Sequence, residues 1–463
     1  MVRVILKLRE YQEQALEDCR DAMRRGAKRL LLCAPTGSGK TAISSHIIKS
    51  ASEKGLRCGF LCHRKELIDQ TRNTFAKFGV EAGIIAAGHD HDYTQPVQIA
   101  SIDTLYRRRA DVPPFDLLVI DEAVHITAKT WRQTVETWPN AWRIGLTATP
   151  RRLSGEGFDD LFDELIMGPR VADLIEQEWL APFRLFAPPT IDTSKLHIRA
   201  GDYIPSEVDA LVNKRTITGD VIEHYKRLAH GKRAVVFCAN VAHSKAVAAE
   251  FQSAGYKAAH VDGKTHPAQR ASIMDAFRRG HYQVLTNVNL ITEGFDAPSM
   301  EVCILLRPTR SLALYLQMVG RVLRPAENKE AIILDHVGNV REHGLPDHPH
   351  EWTLLGKTRS ERKAYTDEAE HVAICCCEKC YEVYAPGPAA CPYCGEVSQP
   401  KYKPPKVVEG ELMEMEQAER LEAVKERMQA RSFEALVEIG RKRGYTSPEY
   451  WAMKVMGGRG QPA

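Results

Sequence analysis

The chain lacks any long apolar run. No stretch approaches the ~18–20 consecutive apolar residues needed to cross a bilayer, and the opening MVRVILKLREYQEQ meets charge too soon to form the apolar centre of a signal peptide. Both absences point to a cytoplasmic protein with no membrane partner. A charge of one sign is missing too: 63 Lys and Arg stand against 60 Asp and Glu, a formal net charge of +3. No global field marks a polyanion ligand, so any such site must be a local groove. Low-complexity tracts and short repeats are absent, and 44% hydrophobic with 27% charged residues is ordinary globular composition, which excludes a disordered or collagen-like chain. Cysteine is sparse outside one place. Cys19, Cys33, Cys58, Cys62, Cys238 and Cys303 are scattered singly, as small buried apolar groups are. The other six crowd between Cys375 and Cys394, which in a cytosolic chain signals metal and not disulfides.

At ~100–200 residues per domain, 463 residues hold two or three domains. From Leu30 to Asp335 short apolar runs alternate with amphipathic stretches. The runs are LLLC (30–33), GFLC (59–62), VQIA (97–100), LLVI (117–120), RIGLTA (143–148), VVFC (235–238), VLTNV (284–288), VCILL (302–306) and AIILD (331–335). Near-continuous apolar strands separated by helices predict parallel sheets covered on both faces. The rhythm lapses between about Asp160 and Asp220 and again in GLPDHPHEW after Gly344, and QPKYKPPK (399–406) has a linker's composition. The expected division is 1–166, 167–345, a cysteine module at 371–398 and a helical tail at 407–463, in which Glu411–Arg431 reads as a charged helix.

Three motifs carry chemistry. APTGSGKT (34–41) follows an apolar strand and precedes a helical stretch. Gly37 and Gly39 let backbone N–H groups wrap phosphates, with Pro35, Thr36 and Ser38 completing the loop; Lys40 reaches the β/γ oxygens and Thr41 offers its hydroxyl to Mg²⁺. The first position is Ala34, where the strict pattern has Gly. DEAVH (121–125) ends the strand LLVI, where Asp121 suits a Mg²⁺ contact and Glu122 can deprotonate an attacking water. QMVGRVLR (317–324) spaces Arg321 and Arg324 three apart, predicted to share one helix face and to stabilise charge on a γ-phosphate.

With LREYQEQA (8–15), LCHRKELIDQT (61–71), IASIDTLYRR (99–108), LTATP (146–150), VVFCANVAHS (235–244) and LTNVNLITEGFDAP (285–298), these motifs resemble a superfamily 2 helicase of the DEAD/DEAH type. ILLRPTRSLALYLQMVGRVLRP followed by ILDHVGN is most like the RadD repair helicases and phage or prophage helicases. The resemblance implies two tandem RecA-like domains in an α/β fold, and ATP as substrate. It implies that Arg9 and Gln12 read the adenine and that Gly294 and Asp296 lie by the ribose and phosphates. By the same resemblance Gln317, Arg321 and Arg324 close the site, His125, Thr147 and Thr149 couple nucleotide state to lobe movement, and His63, Arg64, Thr104 and Thr286 touch a nucleic-acid backbone. His125 and Gln317 stand where DEAD-box RNA helicases carry Asp and His, which favours DNA, single-stranded or branched, over RNA. A monomer serving repair, recombination or replication, with a protein partner from those processes, is the implied setting; a duplex translocase that does not separate strands and an RNA-dependent helicase are the alternatives.

CEKC (377–380) and CPYC (391–394) are two C-x₂-C knuckles. Cys377, Cys380, Cys391 and Cys394 can close a tetrahedral Zn²⁺ site of zinc-ribbon type, with Cys375 or Cys376 as alternatives for the first ligand. Four thiolates leave no open position, so the expected metal is structural.

Overall fold

Five- and four-residue apolar strands can be buried on both faces only if helices cover both sides, and that dictates each lobe. In the computed structural model the first lobe contains β1 (Arg29–Cys33), β2 (Cys58–Cys62), β3 (Gly83–Ile85), β4 (Val97–Ser101), β5 (Leu117–Ile120), β6 (Trp142–Thr147) and β7 (Glu164–Met167). They form a wholly parallel sheet in the order β3-β4-β2-β5-β6-β1-β7. Alternate residues of β1 serve opposite faces: Leu30 and Leu32 pack with Ile43, Ile47 and Phe75, whereas Leu31 packs with Leu105, Trp131 and Phe162.

Residues 7–62, 66–152, 156–187, 198–199, 202–204, 207, 215–291, 299–355, 373–397, 430, 432–443 and 447–457 are described structurally. His63, Arg64, Gly294, Asp296, the 399–406 stretch and all of Glu411–Arg431 except Ala430 lie outside the described residues.

After β7 the helix Val171–Glu176 places Leu174 in the second core, and β8 (Phe183–Phe186) joins a second sheet. A short hairpin follows, β9 (Ile198–Arg199) with β10 (Asp202–Tyr203). Then come β11 (Ala234–Cys238), β12 (Ala258–Val261), β13 (Val284–Asn287), β14 (Val302–Leu306) and β15 (Ala331–Asp335). The second sheet is parallel throughout, ordered β12-β13-β11-β14-β15-β8. Every one of the nine apolar runs falls on a strand of these two sheets. The six scattered cysteines are buried, and burial pushes the thiols of Cys19 and Cys33 up to about 12, as inert core groups.

The cysteine module is a two-stranded antiparallel piece, β16 (Cys375–Cys376) with β17 (Val383–Tyr384). It caps the open edge of the second sheet: Phe186 of β8 bridges Glu382, Ala187 N–H donates to Tyr381 O at 3.1 Å, and Val383 enters the lobe's core. Arg184 donates to the fully buried Glu382 carboxylate from Nε at 2.8 Å and Nη2 at 2.6 Å. Residues Met1–Ser398 form one compact unit and Gln399–Ala463 a second. Within the second, helices Phe433–Lys442 and Pro448–Gly457 pair through Leu436, Val437 and Ala452. Among the described residues no helix is long and apolar enough to cross a membrane.

Candidate active site

The phosphate loop forms because a strand must stop and a helix must start. Register pairs Cys33 of β1 with Thr147 of β6, and the next N–H, from Ala34, donates to Thr147 O at 2.8 Å. The chain then turns through Gly37 (φ +90°) and Gly39 (φ +81°), a left-handed backbone that side chains disfavour, and enters the helix Lys40–Ser52. A Cβ on Gly39 would collide with the Gln12 amide, so the cradle needs glycine. The Ser38 hydroxyl is buried and has no hydrogen-bond partner among the described residues. The Lys40 ammonium donates to Ala34 O at 3.0 Å and Pro35 O at 3.4 Å, holding a cation at the loop's mouth. An orphan hydroxyl, a cradle that excludes side chains and a cation fit a polyphosphate with Mg²⁺.

The first helix, Glu10–Arg24, is latched to this loop. Gln12 Oε1 accepts from Arg9 N–H at 3.0 Å, while Gln12 Nε2 and the Tyr11 hydroxyl both donate to Ser38 O, at 2.9 and 2.8 Å. Gln12 is thus bound to the phosphate loop itself. β5 delivers the acids. Asp121 N–H donates to Leu61 O at 2.9 Å and Glu122 takes a left-handed backbone (φ +47°), both side chains half-buried. A glutamate held there is a strain that sequence did not reveal. His125 is exposed in a 3₁₀ turn, its ring 6.2 Å from Trp131. Thr147 and Thr149 are buried and bonded to each other: Thr149 N–H donates to Thr147 Oγ1, whose hydroxyl donates to Thr149 O, both at 3.1 Å.

The second lobe supplies the opposite wall. Gln317 is buried on the helix Leu312–Val319, but that helix ends before Arg321 and Arg324. The two arginines do not share a helix face, as their spacing predicts; Gly320 caps the helix and they sit in the turns beyond. The reason lies across the cleft. A Cβ on Gly320 would come within 2.7 Å of Thr36 Cβ, so the two lobes touch backbone against loop. Arg324 Cγ lies 3.8 Å from the point where a Cβ on Gly37 would sit. Burial lowers the Arg324 guanidinium to about 10, leaving it cationic at neutral pH. Arg321 is buried and donates from Nε to Gln317 O at 3.4 Å. The turn before β8 is fastened within the same lobe, Ala181 N–H donating to Leu323 O at 2.7 Å.

Two expected nucleic-acid contacts are described. Thr104 is half-buried on the helix Ile102–Arg108 and accepts from the Ser101 hydroxyl at 2.9 Å. Thr286 is fully buried on β13 and donates to Ser244 O at 2.9 Å, inside a chain running from the Ser244 hydroxyl to His260 (2.7 Å) and Asp262 (3.1 Å). Its hydroxyl is engaged inside the lobe and has no surface to offer a nucleic-acid backbone, because β13 is a central strand covered on both faces.

Comparison with known proteins places the chain in a family. Residues 5–152 match the family described as type III restriction enzyme, res subunit, and residues 214–326 match the helicase conserved C-terminal domain. A 51.5 kDa protein of a Lactococcus phage (isolate 7-9) is 42% identical over 322 residues, 70% of this chain and 68% of its own length. The chain belongs to the superfamily 2 helicases. These are nucleic-acid-dependent ATPases. The DNA 3'-5' translocase XPB2 of Sulfurisphaera tokodaii is 23% identical over 386 residues, 73% of this chain and 83% of that protein. A fragment of a candidate HsdR subunit of a type I restriction enzyme from Vibrio vulnificus shares the fold at a TM-score of 0.59 and 23% identity, over 73% of this chain and 66% of that one. This helicase spans 53% and 63% of the lengths of two fungal IRC3 helicase candidates it matches.

The helicase's four-cysteine centre is preformed. The sulfurs of Cys377, Cys380, Cys391 and Cys394 lie within 4.8 Å of one another, with Cys377–Cys394 at 3.5 Å and Cys380–Cys391 at 3.7 Å. A tetrahedral ion with ~2.3 Å bonds to sulfur needs edges of about 3.8 Å, so the donor set fits zinc. The two knuckles repeat one backbone pattern. Cys377 N–H donates to Glu382 O and Tyr381 N–H to Cys377 O; Cys391 N–H donates to Glu396 O and Gly395 N–H to Cys391 O. Tyr381 (φ +64°) and Gly395 (φ +73°) make the matching turns. Burial alone raises the Cys377 thiol, but N–H groups of Cys380 and Lys379 and the neighbouring thiols bring it down to about 7. Of the three consecutive cysteines, Cys377 is the one gathered with the other three.

Proposed function

We propose that this chain is a DNA-dependent ATPase motor that couples ATP hydrolysis to movement along DNA and to unwinding or remodelling it. The carrying observation is the approach of Gly320 and Arg324 of one lobe to Thr36 and Gly37 of the other, since a motor needs a phosphate site whose two walls belong to parts that move. Lys40 and the loop N–H groups hold the triphosphate, Thr41 and Asp121 hold Mg²⁺, and Glu122 takes the proton of the attacking water. Bound there, Mg²⁺ would screen the phosphate oxygens and the charge on the leaving group. Gln317, Arg321 and Arg324 complete the site on closure, and Thr147 and Thr149 pass the change along the strand next to the phosphate loop. Arg9 and Gln12 serve the base side, and His125 serves with Thr147 and Thr149 in coupling nucleotide state to lobe movement. His63, Arg64 and Thr104, with Gly294 and Asp296 on the nucleotide side, complete the proposed contact set; Thr286, fully buried and bonded within its lobe, is left out of it. DNA as the track is supported by the named activity of the archaeal translocase. Repair, recombination or replication is the proposed setting, with the chain working as a monomer in the cytoplasm. Zn²⁺ in the cysteine centre is structural.

The test is steady-state ATP hydrolysis with no nucleic acid, single-stranded DNA, duplex DNA, forked DNA and single-stranded RNA. Stimulation by single-stranded or forked DNA is expected, together with strand displacement. Stimulation by duplex alone would make the chain a translocase that does not separate strands, and stimulation by RNA alone would overturn the DNA assignment. Lys40→Ala and Glu122→Gln should each abolish turnover and leave DNA binding largely intact; ATPase retained in both would refute the site.

A further inference from the structure

The stretch GLPDHPHEW, from Gly344 to Trp352, belongs to none of the helicase motifs, yet it starts on one lobe and leads onto the other. Its beginning is fixed to the helix that carries Gln317. The Tyr315 hydroxyl donates to Gly344 O at 3.1 Å, the Tyr315 ring stacks on His343 with centroids 5.2 Å apart, and His343 Nε2 lies 2.8 Å from Thr309 O. Leu345 and Trp352 then pack against the core of the second lobe, the His350 ring 5.1 Å from the indole. Two residues later the chain has changed lobes. Leu354 packs against the first-lobe core that holds Phe158 and Phe162, and Leu354 O accepts from Phe158 N–H at 2.7 Å.

Residues 344–354 are thus a second crossing between the lobes, beside the chain that runs from β7 to β8. The two crossings stay apart. Met167 and Val171 of one and Pro346 and Trp352 of the other line a cavity of about 710 Å³, which Thr36 and Gly320 close where the lobes meet. Parts joined by one thread can swivel freely, whereas two separated threads leave little more than a swing about the line between them. The strap also runs beside the coupling residues. Arg151 N–H donates to Thr149 O at 2.9 Å, and the Arg152 guanidinium lies over the Phe158 ring, 4.5 Å from its centroid. Burial lowers the imidazoles of His343 and His350, and the Arg151 charge lowers both further, which sets Arg151 next to the strap.

We propose that Trp352 and Leu354 are positioning residues for ATP hydrolysis: the strap they anchor keeps the helix of Gln317, and with it Gly320 and Arg324, at the phosphate loop before nucleic acid arrives. The inference rests on the ATPase reading above and deepens it, naming what brings the two walls together when DNA is absent. The strap acts by raising the effective concentration of one wall at the other. DNA that grips both lobes does the same, so the strap matters most without it.

The experiment measures ATP turnover of the full chain, zinc bound, with no nucleic acid and with saturating forked DNA. Wild type is compared with Leu354→Ala, Leu354→Met, Trp352→Ala and a chain with Gly-Ser-Gly-Ser inserted between His348 and Pro349, both exposed. Truncating one anchor should weaken the held arrangement about 5- to 30-fold. For Leu354→Ala and Trp352→Ala, kcat without DNA should fall by that factor, while kcat at saturating DNA should change by about 2-fold or less. Leu354→Met conserves volume and should recover most of the loss. The insertion keeps both anchors and only slackens the strap, so it should reproduce the DNA-free loss with Tm unchanged. Equal losses with and without DNA, or a loss confined to variants whose Tm falls, would overturn the proposal in favour of ordinary packing. Unchanged or raised DNA-free turnover in the insertion variant would overturn it outright. Small-angle scattering without nucleotide needs no turnover: the insertion should broaden the distance distribution, and an unchanged profile would overturn the strap. Failure of the ATPase reading is distinguishable, since wild type would then hydrolyse no ATP under any condition while the scattering difference remained.

Discussion

Breaking the ion pair that fastens the cysteine module to the second lobe should destabilise the lobe itself. Arg184 lies on β8, the edge strand of the sheet, and meets the Glu382 carboxylate through two hydrogen bonds. Glu382 is 0% exposed and Arg184 38% exposed. Removing one partner of a buried pair costs about 3–5 kcal/mol, because the other charge is left without compensation. Water reaches Arg184, so the lower end applies to Arg184→Ala, about 3 kcal/mol. For a lobe of this size each kcal/mol moves Tm by about 2–4 °C, which predicts a fall of about 6–12 °C in its transition. Replacing both partners by apolar residues, Arg184→Met with Glu382→Leu, should return the lobe to within about 1 kcal/mol of wild type, since the desolvation cost is removed together with the attraction. Thermal denaturation of wild type, Arg184→Met, Glu382→Leu and the double variant, each with zinc bound, forms a double-mutant cycle. Single variants that shift Tm by less than about 2 °C, or a double variant whose loss is the sum of the singles, would refute the claim that this pair docks the module.

Gly320→Ala should separate nucleotide binding from turnover: its Cβ would fall 2.7 Å from Thr36 Cβ and 2.8 Å from Leu316 O. Overpacking of about 1–3 kcal/mol should lower kcat at least several-fold while lobe 1 still binds nucleotide, measured by ATPase and equilibrium binding; an unchanged kcat would mean that the lobes need not meet here. Metal analysis should find about one zinc per chain, lost when Cys391 and Cys394 are both replaced by Ser, and the second lobe should melt earlier in that variant because its β8 edge is uncovered. Zinc-free wild type would remove the metal centre. Asp335 is wholly buried, and burial raises its carboxyl to about 6 in spite of N–H donation from Val340 at 2.7 Å and Val337 at 3.2 Å. A folded-state pKa above the unfolded value of ~3.9 favours the native state below that value and loses the benefit as pH rises through 6. Denaturant midpoints at pH 5.0 and 7.5 should therefore show the stability of wild type relative to Asp335→Asn falling as pH rises, and a pH-independent difference would contradict the shift.

How legible all this was depended on how local the determining physics is. Buried parallel strands must be apolar at every position, so the runs around Leu30–Cys33 and Val302–Leu306 announce themselves. The phosphate loop is equally local, because glycine at Gly37 and Gly39 and the cation at Lys40 are needed within one turn. The first zinc ligand was not local. Three consecutive cysteines fit the knuckle spacing within a residue or two, and the choice of Cys377 comes from strand pairing: Cys375 and Cys376 lie opposite Tyr384 and Val383, so the turn can begin only after them. Arg321 and Arg324 mislead for a related reason. Their spacing is helical, but the helix stops at Val319, and the contact that requires glycine at 320 is with Thr36 in another lobe. Glu382 in sequence is one more acid in a charged loop, its partner Arg184 198 residues away. Trp352 lies in a stretch without strand–helix rhythm, where periodicity carries no information. These non-local features have a common location: they sit where the second lobe meets something else, whether the phosphate loop, the rest of the first lobe or the cysteine module. A parallel α/β lobe can be read strand by strand because its core is self-contained, whereas a motor's working contacts are made between self-contained parts. The same reasoning says where to mutate. Substitutions at Gly320 and Arg184 should change closing and module docking separately, because each lies at a different junction of one lobe.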